Sequence, residues 1–352
     1  MQTILQSLGF NVSNLSYAPE RPKSLKFLKR IIKRIIKRVL ATLGNEKYSK
    51  QIYEYDHNER NKFAWDRGQL AKLFDKRYIS NMFFMTQKQA LKKTSSYWNK
   101  YDYVVVGSDQ VWHNWSETMK ELEYFYLRFV DENKRVNYAP SFGVLEIAPE
   151  FIEVNKKFLN CFKKLSCREK DGCELIKNLT GREALHVLDP SMLLTPEDYM
   201  KIARKPNFEV PQHYALSYVL GGIIDTHKSL LENVQKNLPI IDIYNDFENL
   251  ERYLTGPEEF VWLIAHADLI LTDSFHGNAF SINFKKNFVS LIRPNDKSHR
   301  IESLLSSFCL SNRIYNNDGK IPEGEIDYDS VYEKLNAMRE ISLNYLKDCL
   351  NV

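Results

Sequence analysis

From about residue 98 onward, short apolar runs alternate with longer stretches in which apolar residues recur at helical spacing. Several of the apolar runs contain almost no polar residue, which fits parallel strands that are covered on both faces. The pattern therefore predicts an α/β protein. The predicted strands are residues 103–106, 135–139, 164–167, 185–188, 214–219, 240–244, 269–272 and 288–292. The predicted helices lie near residues 150–163, 171–179, 196–203, 226–237, 257–266, 277–284 and 330–348.

The length of 352 residues favours two domains. Residues 206–212 contain two prolines and no periodicity, so we place the boundary there. We expect an N-terminal domain over 1–205, a second domain over 206–325, and a C-terminal helix over 326–352 that packs back on the first domain. Residues 45–97 are charged and aromatic with helical tendencies, and their topology is not predicted.

Charge is concentrated in one stretch of an otherwise mildly acidic chain. The net charge is +4, yet nine basic and no acidic residues lie between Arg21 and Leu40, so the rest carries −5. This distribution argues against a nucleic-acid binder. Apolar residues at helical spacing predict a basic amphipathic helix over about 23–43. It either lies on an anionic membrane surface or packs on the protein body with a solvated basic face.

Four polar clusters follow predicted strands, and ligands of doubly wound sheets bind at such strand ends. In the first cluster, Ser108, Asp109, Gln110 and Trp112 come after strand 103–106. A carboxylate, an amide and a flat aromatic ring are typical of a carbohydrate-binding edge. The alternative is that Ser108 or Asp109 only caps the next helix.

The second and third clusters are weaker signals. Ser141 follows strand 135–139 within a sequence that also fits a simple turn. Arg168 follows strand 164–167 and is suited to bind a carboxylate or phosphate through its forked guanidinium. It is equally suited to pair with Glu169 or Asp171.

The fourth cluster is the strongest. Asp273, Ser274 and His276 follow strand 269–272, and Gly277 is expected to open a helix whose N–H groups would bind an anion. His276 would bind the anion there as a cation or act as a general acid. The alternative is that its side chain only makes hydrogen bonds within the turn. Downstream, Lys297 and Arg300 either close the site around the anion or form a solvated basic turn.

The order and spacing of these clusters resemble the polysaccharide pyruvyl transferase family. The similarity extends over about residues 1–315 and rests on several motifs together. The matching stretches are 103–112 (YVVVGSDQVW), 138–143 (YAPSFG), 166–169 (SCRE), 189–194 (DPSMLL), 272–277 (TDSFHG), and 280–292 followed by Arg300 and Ile301.

The resemblance implies a GT-B-like fold, with two Rossmann-type domains facing across a cleft. It implies phosphoenolpyruvate as the donor co-substrate and a sugar acceptor that becomes a cyclic pyruvate ketal. No further cofactor is expected, and the sequence shows no metal-binding cluster. His276 would be the acid and Asp109 the base. Donor contacts would come from Arg168, Ser274, His276, Gly277, Lys297 and Arg300, and acceptor contacts from Ser108, Asp109, Gln110, Trp112 and Ser141.

Three expectations concern the setting of the enzyme. The absence of a signal peptide and of any long apolar run predicts a cytoplasmic protein. A lipid-linked oligosaccharide acceptor, a precursor of a bacterial surface polysaccharide, would place it at the inner leaflet through the 23–43 helix. Relatives usually begin with a strand and a glycine-containing loop, whereas Met1 resembles the middle of the following helix, so that strand is expected to be missing.

Two other functions stay open on the sequence. One is a GT-B glycosyltransferase that uses a nucleotide sugar, although the sequence contains no Gly-rich turn with an acidic ribose contact. The other is a truncated, inactive relative that only binds sugar or membrane.

Overall fold

The computed structural model describes residues 1–17, 59–93, 95–113, 119–292 and 298–352. The predicted basic helix over 23–43 and Lys297 lie outside the described residues.

The first part of the described chain contains three separate pairs of parallel strands, β1 with β2, β3 with β4, and β5 with β6. Its strands are β1 Asn14–Tyr17, β2 Met82–Met85, β3 Val104–Val106, β4 Arg135–Asn137, β5 Ser166–Cys167 and β6 Leu185–His186. Its helices are α1 Gln2–Ser7, α2 Glu59–Tyr78, α3 Gln87–Lys92, α4 Ser95–Trp98, α5 Met119–Phe125, α6 Pro149–Leu159, α7 Lys170–Thr180 and α8 Pro196–Met200.

The second part contains one four-stranded parallel sheet with the order β10-β9-β7-β8. Its strands are β7 Ala215–Tyr218, β8 Ile240–Asp242, β9 Leu269–Thr272 and β10 Asn287–Ser290. Its helices are α9 Asp225–Gln235, α10 Leu250–Tyr253, α11 Pro257–His266, α12 Phe275–Asn283, α13 His299–Ser307 and α14 Tyr328–Leu350.

The α/β class and the parallel sheets are confirmed. Each of the eight predicted strands has a counterpart, although most are shorter than predicted, and each of the seven helices predicted between residues 150 and 348 is present. One boundary was wrong, because the helix expected to open at Gly277 begins at Phe275. Strands β1 and β2 and helix α2 were not predicted. Irregular chain links Met200 to Ala215, where the sequence places a domain boundary, and that boundary stays a prediction.

The long C-terminal helix α14 joins several elements that surround the site. The hydroxyl of Ser342 accepts a hydrogen bond of 2.9 Å from the backbone N–H of Leu188, two residues after β6. Tyr345 donates to the side chain of Asn137 at the end of β4, at 3.3 Å. Arg339 donates to the carbonyl oxygen of Met192, at 2.8 Å. The helix thus fixes the segments that follow two of the short strands.

Strand β9 is a fully buried inner strand of the four-stranded sheet. All four residues of Leu269–Thr272 are buried, and the strand pairs with β7 on one side and β10 on the other. A continuous apolar run is what such a doubly covered parallel strand requires. None of the helices within the described residues is long and apolar enough to cross a membrane.

Candidate active site

A cavity of about 240 Å³, here called the strand-end cavity, brings together residues from distant parts of the chain. Asp109 and Gln110 contribute from the segment after β3. The loop after β7 contributes Leu220. The remaining described lining residues are Asp273, Ser274, Phe275, His276, Ile292, Ser298, Arg300 and Ile301. The first and fourth sequence clusters therefore meet at one site.

The first turn of α12 forms one wall of this cavity because Ser274 begins the helix as its N-cap. Ser274 Oγ accepts a hydrogen bond of 3.3 Å from the backbone N–H of Gly277. Thr272 Oγ1 in turn accepts from the backbone N–H of Ser274, at 3.1 Å. A Cβ atom at Gly277 would clash with the Thr272 side chain, which explains why glycine stands in this turn. The free N–H groups of the turn make it attractive to an anion.

Helix α13 presents a second N-terminus to the cavity. Its N-cap residue Ser298 makes no side-chain capping hydrogen bond, and Ser298, Arg300 and Ile301 all line the cavity. Arg300 therefore lies at the cavity, and its part in closing the site around an anion stays a prediction. Lys297 lies outside the described residues.

Both carboxylate oxygens of Asp273 accept hydrogen bonds from the backbone of the loop after β7. Its Oδ1 accepts a hydrogen bond of 2.6 Å from the backbone N–H of Leu220, and its Oδ2 accepts one of 2.8 Å from Gly221. Because only 4% of Asp273 is exposed, its main effect is to hold the loop after β7 against the end of β9.

Asp109 reaches the cavity through an unusual backbone conformation. Its φ of 60° lies in the left-handed region, and its carbonyl oxygen accepts hydrogen bonds of 2.8 Å from the N–H groups of Val111 and Ser141. The alternative that Ser108 or Asp109 caps the next helix was wrong, because the chain makes this loop instead. The side chain of Asp109 is 61% exposed, so it is available to a ligand.

Three of the residues expected to contact a sugar do not line the cavity. Trp112 is fully buried, with its ring stacked on Tyr126 at 5.2 Å between ring centres. Ser141 is also fully buried, and its Oγ accepts from the backbone N–H of Gly143 in a turn. Ser108 is half-buried beside them. The structure gives Trp112 and Ser141 packing and turn-forming contacts, while Asp109 and Gln110 reach the cavity.

Arg168 lies behind the cavity wall and is surrounded by carboxylates. Its guanidinium is 2.9 Å from Glu169, 3.0 Å from Asp189 and 3.3 Å from Asp109. Of the two ion pairs weighed from the sequence, the pair with Glu169 is present. The guanidinium also lies over the ring of Phe275, 4.2 Å from its centre. Although burial opposes its charge, the carboxylates of Glu169, Asp189 and Asp109 raise the pKa of Arg168.

Asp189 connects this arginine to His276. Its Oδ1 is 3.9 Å from His276 Nε2, and the same oxygen accepts hydrogen bonds from the backbone N–H and hydroxyl of Ser191. Burial alone would raise its pKa, but Arg168, then His276, then the Ser191 contacts lower the pKa of Asp189 to about 2. Asp189 is thus a carboxylate at neutral pH, directly behind the imidazole.

Sequence reasoning did not single out Asp189 or Leu220 as individual site residues. Asp189 had a signal, because it is a carboxylate that closely follows a short apolar strand, as Asp109 and Asp273 do. Leu220 contributes by position alone, and nothing in its residue type indicated a ligand site.

The arrangement combines three chemical capacities. His276 is 45% exposed at the cavity, where an imidazole is suited to donate a proton. Arg300 and two helix N-termini favour a bound anion. Asp109 offers a carboxylate that is suited to accept a proton. An anionic substrate that must gain one proton while a hydroxyl loses another fits these groups.

A comparison with curated proteins finds no match to this sequence. The family described as polysaccharide pyruvyl transferase matches residues 1–295 of the 352. The match includes both walls of the strand-end cavity up to β10, together with Asp109, Arg168, Asp189 and His276. The chain therefore belongs to the polysaccharide pyruvyl transferase family.

Proposed function

We propose that this protein transfers the pyruvyl group of phosphoenolpyruvate onto two hydroxyls of one sugar. The observation that carries this proposal is the convergence of His276, Arg300 and two helix N-termini on a cavity whose opposite wall holds Asp109. Family membership supports a transferase that acts on a sugar. The identity of the donor comes from the family resemblance, and the chemistry of the cavity is compatible with it.

The donor part of the cavity suits a small molecule with two anionic groups. Phosphoenolpyruvate carries a carboxylate and a phosphate, which require cations or N–H donors from more than one direction. The first turns of α12 and α13 supply N–H groups, and Arg300 supplies a guanidinium. The cavity volume of about 240 Å³ accommodates a molecule as small as phosphoenolpyruvate.

The reaction assigns a role to each candidate catalytic group. His276 donates a proton to the methylene carbon of phosphoenolpyruvate, which makes C2 electrophilic. One sugar hydroxyl attacks C2 and gives its proton to Asp109. Inorganic phosphate then leaves with the C–O bond electrons and takes the proton from Asp109. The second hydroxyl attacks C2 and gives its proton to His276, so both side chains return to their starting states. The products are the cyclic ketal and inorganic phosphate.

The wider setting is part of the same proposal. We place the donor site in a C-terminal Rossmann-type domain over 206–325 and the acceptor site in the domain over 1–205, in a GT-B-like arrangement. The acceptor is proposed to be a lipid-linked oligosaccharide precursor of a bacterial surface polysaccharide. The basic stretch over 23–43 would then hold the enzyme at the anionic inner leaflet, where such an acceptor is anchored.

Calorimetric titration with phosphoenolpyruvate, inorganic phosphate and UDP-galactose tests the donor assignment. We expect phosphoenolpyruvate to bind, and the Arg300→Gln and His276→Gln variants to lose at least about tenfold in affinity, equivalent to about 1.4 kcal/mol. The Lys236→Gln variant removes an exposed cation at the end of α9 and should bind as the unmodified protein does. Binding of UDP-galactose without binding of phosphoenolpyruvate would favour glycosyl transfer and contradict the proposal.

A further inference from the structure

A single buried ion pair lies between the two candidate catalytic groups. Arg168 contacts Asp189 at 3.0 Å, and the two side chains are only 1% and 3% exposed. Arg168 extends further to Asp109, with its two terminal nitrogens 3.4 and 3.3 Å from Oδ1. Asp189 extends to His276, at 3.9 Å from Nε2. The four side chains form one continuous charged path behind the cavity.

We propose that the Arg168–Asp189 ion pair is a positioning element that holds Asp109 and His276 on opposite walls of the strand-end cavity. The kinetic consequence rests on the proposed function. Neither Arg168 nor Asp189 touches the donor, and both act through the residues that do.

The surroundings of Arg168 explain why it does not bind the donor. Glu169 and Asp189 already occupy its Nε and Nη1 atoms, at 2.9 and 3.0 Å. The ring of Phe275 lies over the guanidinium and separates it from the cavity that Phe275 itself lines. The remaining nitrogen, Nη2, contacts Asp109 Oδ1 at 3.3 Å, so a donor carboxylate bound there would compete with the proposed base.

The surroundings of His276 explain what Asp189 contributes. Three carboxylates contact one arginine in this path, those of Glu169 and Asp189 from buried positions and that of Asp109 from an exposed one. The buried Asp189 carboxylate lies 3.9 Å from His276 Nε2 and limits the directions in which the ring can turn. Among the described residues, Asp109, Asp273 and Arg300 are the other charged side chains that line the cavity with His276.

A residue that positions a catalytic group and a residue that binds the donor should affect different kinetic constants when they are substituted. A group that binds the donor affects the KM for phosphoenolpyruvate, whereas a group that orients the acid or base affects kcat. Displacement of a reacting group by about 1 Å can cost roughly 100-fold in rate. Arg168→Lys keeps the charge but removes the fork that reaches both Asp109 and Asp189. Asp189→Asn keeps the shape and removes the charge behind His276.

Steady-state kinetics on these two variants tests the proposal. We expect kcat to fall by about 100-fold in each, while the KM for phosphoenolpyruvate stays within about threefold of the unmodified value. Arg300→Lys changes a residue that lines the cavity, and it should raise the KM for phosphoenolpyruvate with a smaller effect on kcat. A tenfold increase in KM for Arg168→Lys, or an unchanged kcat in both variants, would overturn the proposal.

A spectroscopic measurement on the unmodified protein keeps the proposal testable if a variant does not fold. With labelled histidine and aspartate, a through-space NMR contact between the Asp189 carboxyl carbon and the His276 ring nitrogen should be seen at fixed pH, since the two groups lie 3.9 Å apart. Absence of that contact would overturn the proposal. Lack of turnover in the unmodified protein would contradict the proposed function instead, and the NMR contact would still decide whether the two groups are neighbours.

Discussion

Asp273 Oδ1 accepts a hydrogen bond of 2.6 Å from the backbone N–H of Leu220, which ties the end of strand β9 to the loop after strand β7. The second oxygen of the same carboxylate binds the next N–H, that of Gly221, at 2.8 Å. Because Leu220 lines the strand-end cavity, this pair of hydrogen bonds shapes one wall of the site.

We expect the Asp273→Ala variant to lose about 1–3 kcal/mol of unfolding free energy, since hydrogen bonds to a buried carboxylate are lost. Donor binding should weaken in the same variant because the loop is released. Asp273→Asn retains one acceptor oxygen and should show a smaller loss of both. Urea denaturation and calorimetric titration with phosphoenolpyruvate measure the two effects. Unchanged stability in Asp273→Ala would contradict the structural role of this carboxylate.

Two glycine substitutions should change stability in opposite directions. A Cβ at Gly277 would clash with Thr272, so Gly277→Ala should cost about 1–3 kcal/mol of unfolding free energy. Gly68 lies within helix α2, and no atom of the described residues is within 4 Å of the position that a Cβ would take there. Gly68→Ala should therefore stabilise the protein by about 0.5–1 kcal/mol. Chemical denaturation of both variants gives the comparison, and equal effects would contradict the packing around Gly277.

His186 should make the stability depend on pH below neutrality. Burial, and secondarily the charge of Lys170, lowers the pKa of His186 from 6.5 to about 4. The unfolded chain then takes up a proton near pH 6.5 that the folded protein resists. The unfolding free energy is therefore highest above pH 6.5 and declines towards pH 4, by about 3 kcal/mol from this group.

The His186→Gln variant isolates that contribution. Glutamine retains an N–H donor for the carbonyl oxygen of Arg168, which lies 3.1 Å from His186 Nε2. We expect urea midpoints measured between pH 4 and 7 to vary less in this variant. Burial also lowers the pKa values of His227 and His299, so a shallower decline of the same sign should remain. An identical pH dependence in the variant would rule out His186 as its source.

A substitution of Trp112 tests whether this residue packs in the protein interior or contacts the sugar. Because its ring is fully buried against Tyr126, Trp112→Phe should lower the unfolding free energy and leave the acceptor KM unchanged. Gln110→Ala changes a residue at the cavity and should raise that KM. Steady-state kinetics with the acceptor as varied substrate decides this. A raised acceptor KM in Trp112→Phe would favour the sugar-contact role predicted from the sequence.

The basic stretch over 23–43 should confer binding to anionic vesicles. Each cation near such a surface contributes about 1 kcal/mol at moderate salt. We expect the protein to float with phosphatidylserine-containing vesicles and to remain unbound with phosphatidylcholine alone. Replacement of its lysines and arginines by glutamine should abolish flotation. Retention of binding in that variant would assign membrane association to another surface.

Local sequence signals were sufficient for much of the fold and part of the site. Strands such as Leu269–Thr272 are continuous apolar runs, and the residue after such a run lies at the ligand edge of a parallel sheet. This rule places Asp109 and the cluster that contains His276 at ligand edges, while the sequence leaves the position of Arg300 open between an anion-closing loop and a solvated turn. These residues are indeed brought to a single cavity.

The remaining features depend on contacts between segments far apart in sequence. Trp112 is buried because Tyr126, Phe142 and Phe162 surround its ring, and no local pattern indicates that. Arg168 is enclosed because carboxylates from three different strand ends reach it. Strands β1 and β2 are four residues each, and their pairing joins segments about 70 residues apart. Short strands with such distant partners give little local signal.

The most direct measurement of the central claim is product formation from phosphoenolpyruvate. The protein would be incubated with phosphoenolpyruvate and a panel of hexosides, and the mixture followed by phosphorus NMR and mass spectrometry. We expect inorganic phosphate release together with a sugar product heavier by one pyruvate less one water, and neither product with His276→Gln. Ketal formation that persists at the unmodified rate in His276→Gln, or sugar transfer from a nucleotide sugar without use of phosphoenolpyruvate, would contradict the claim.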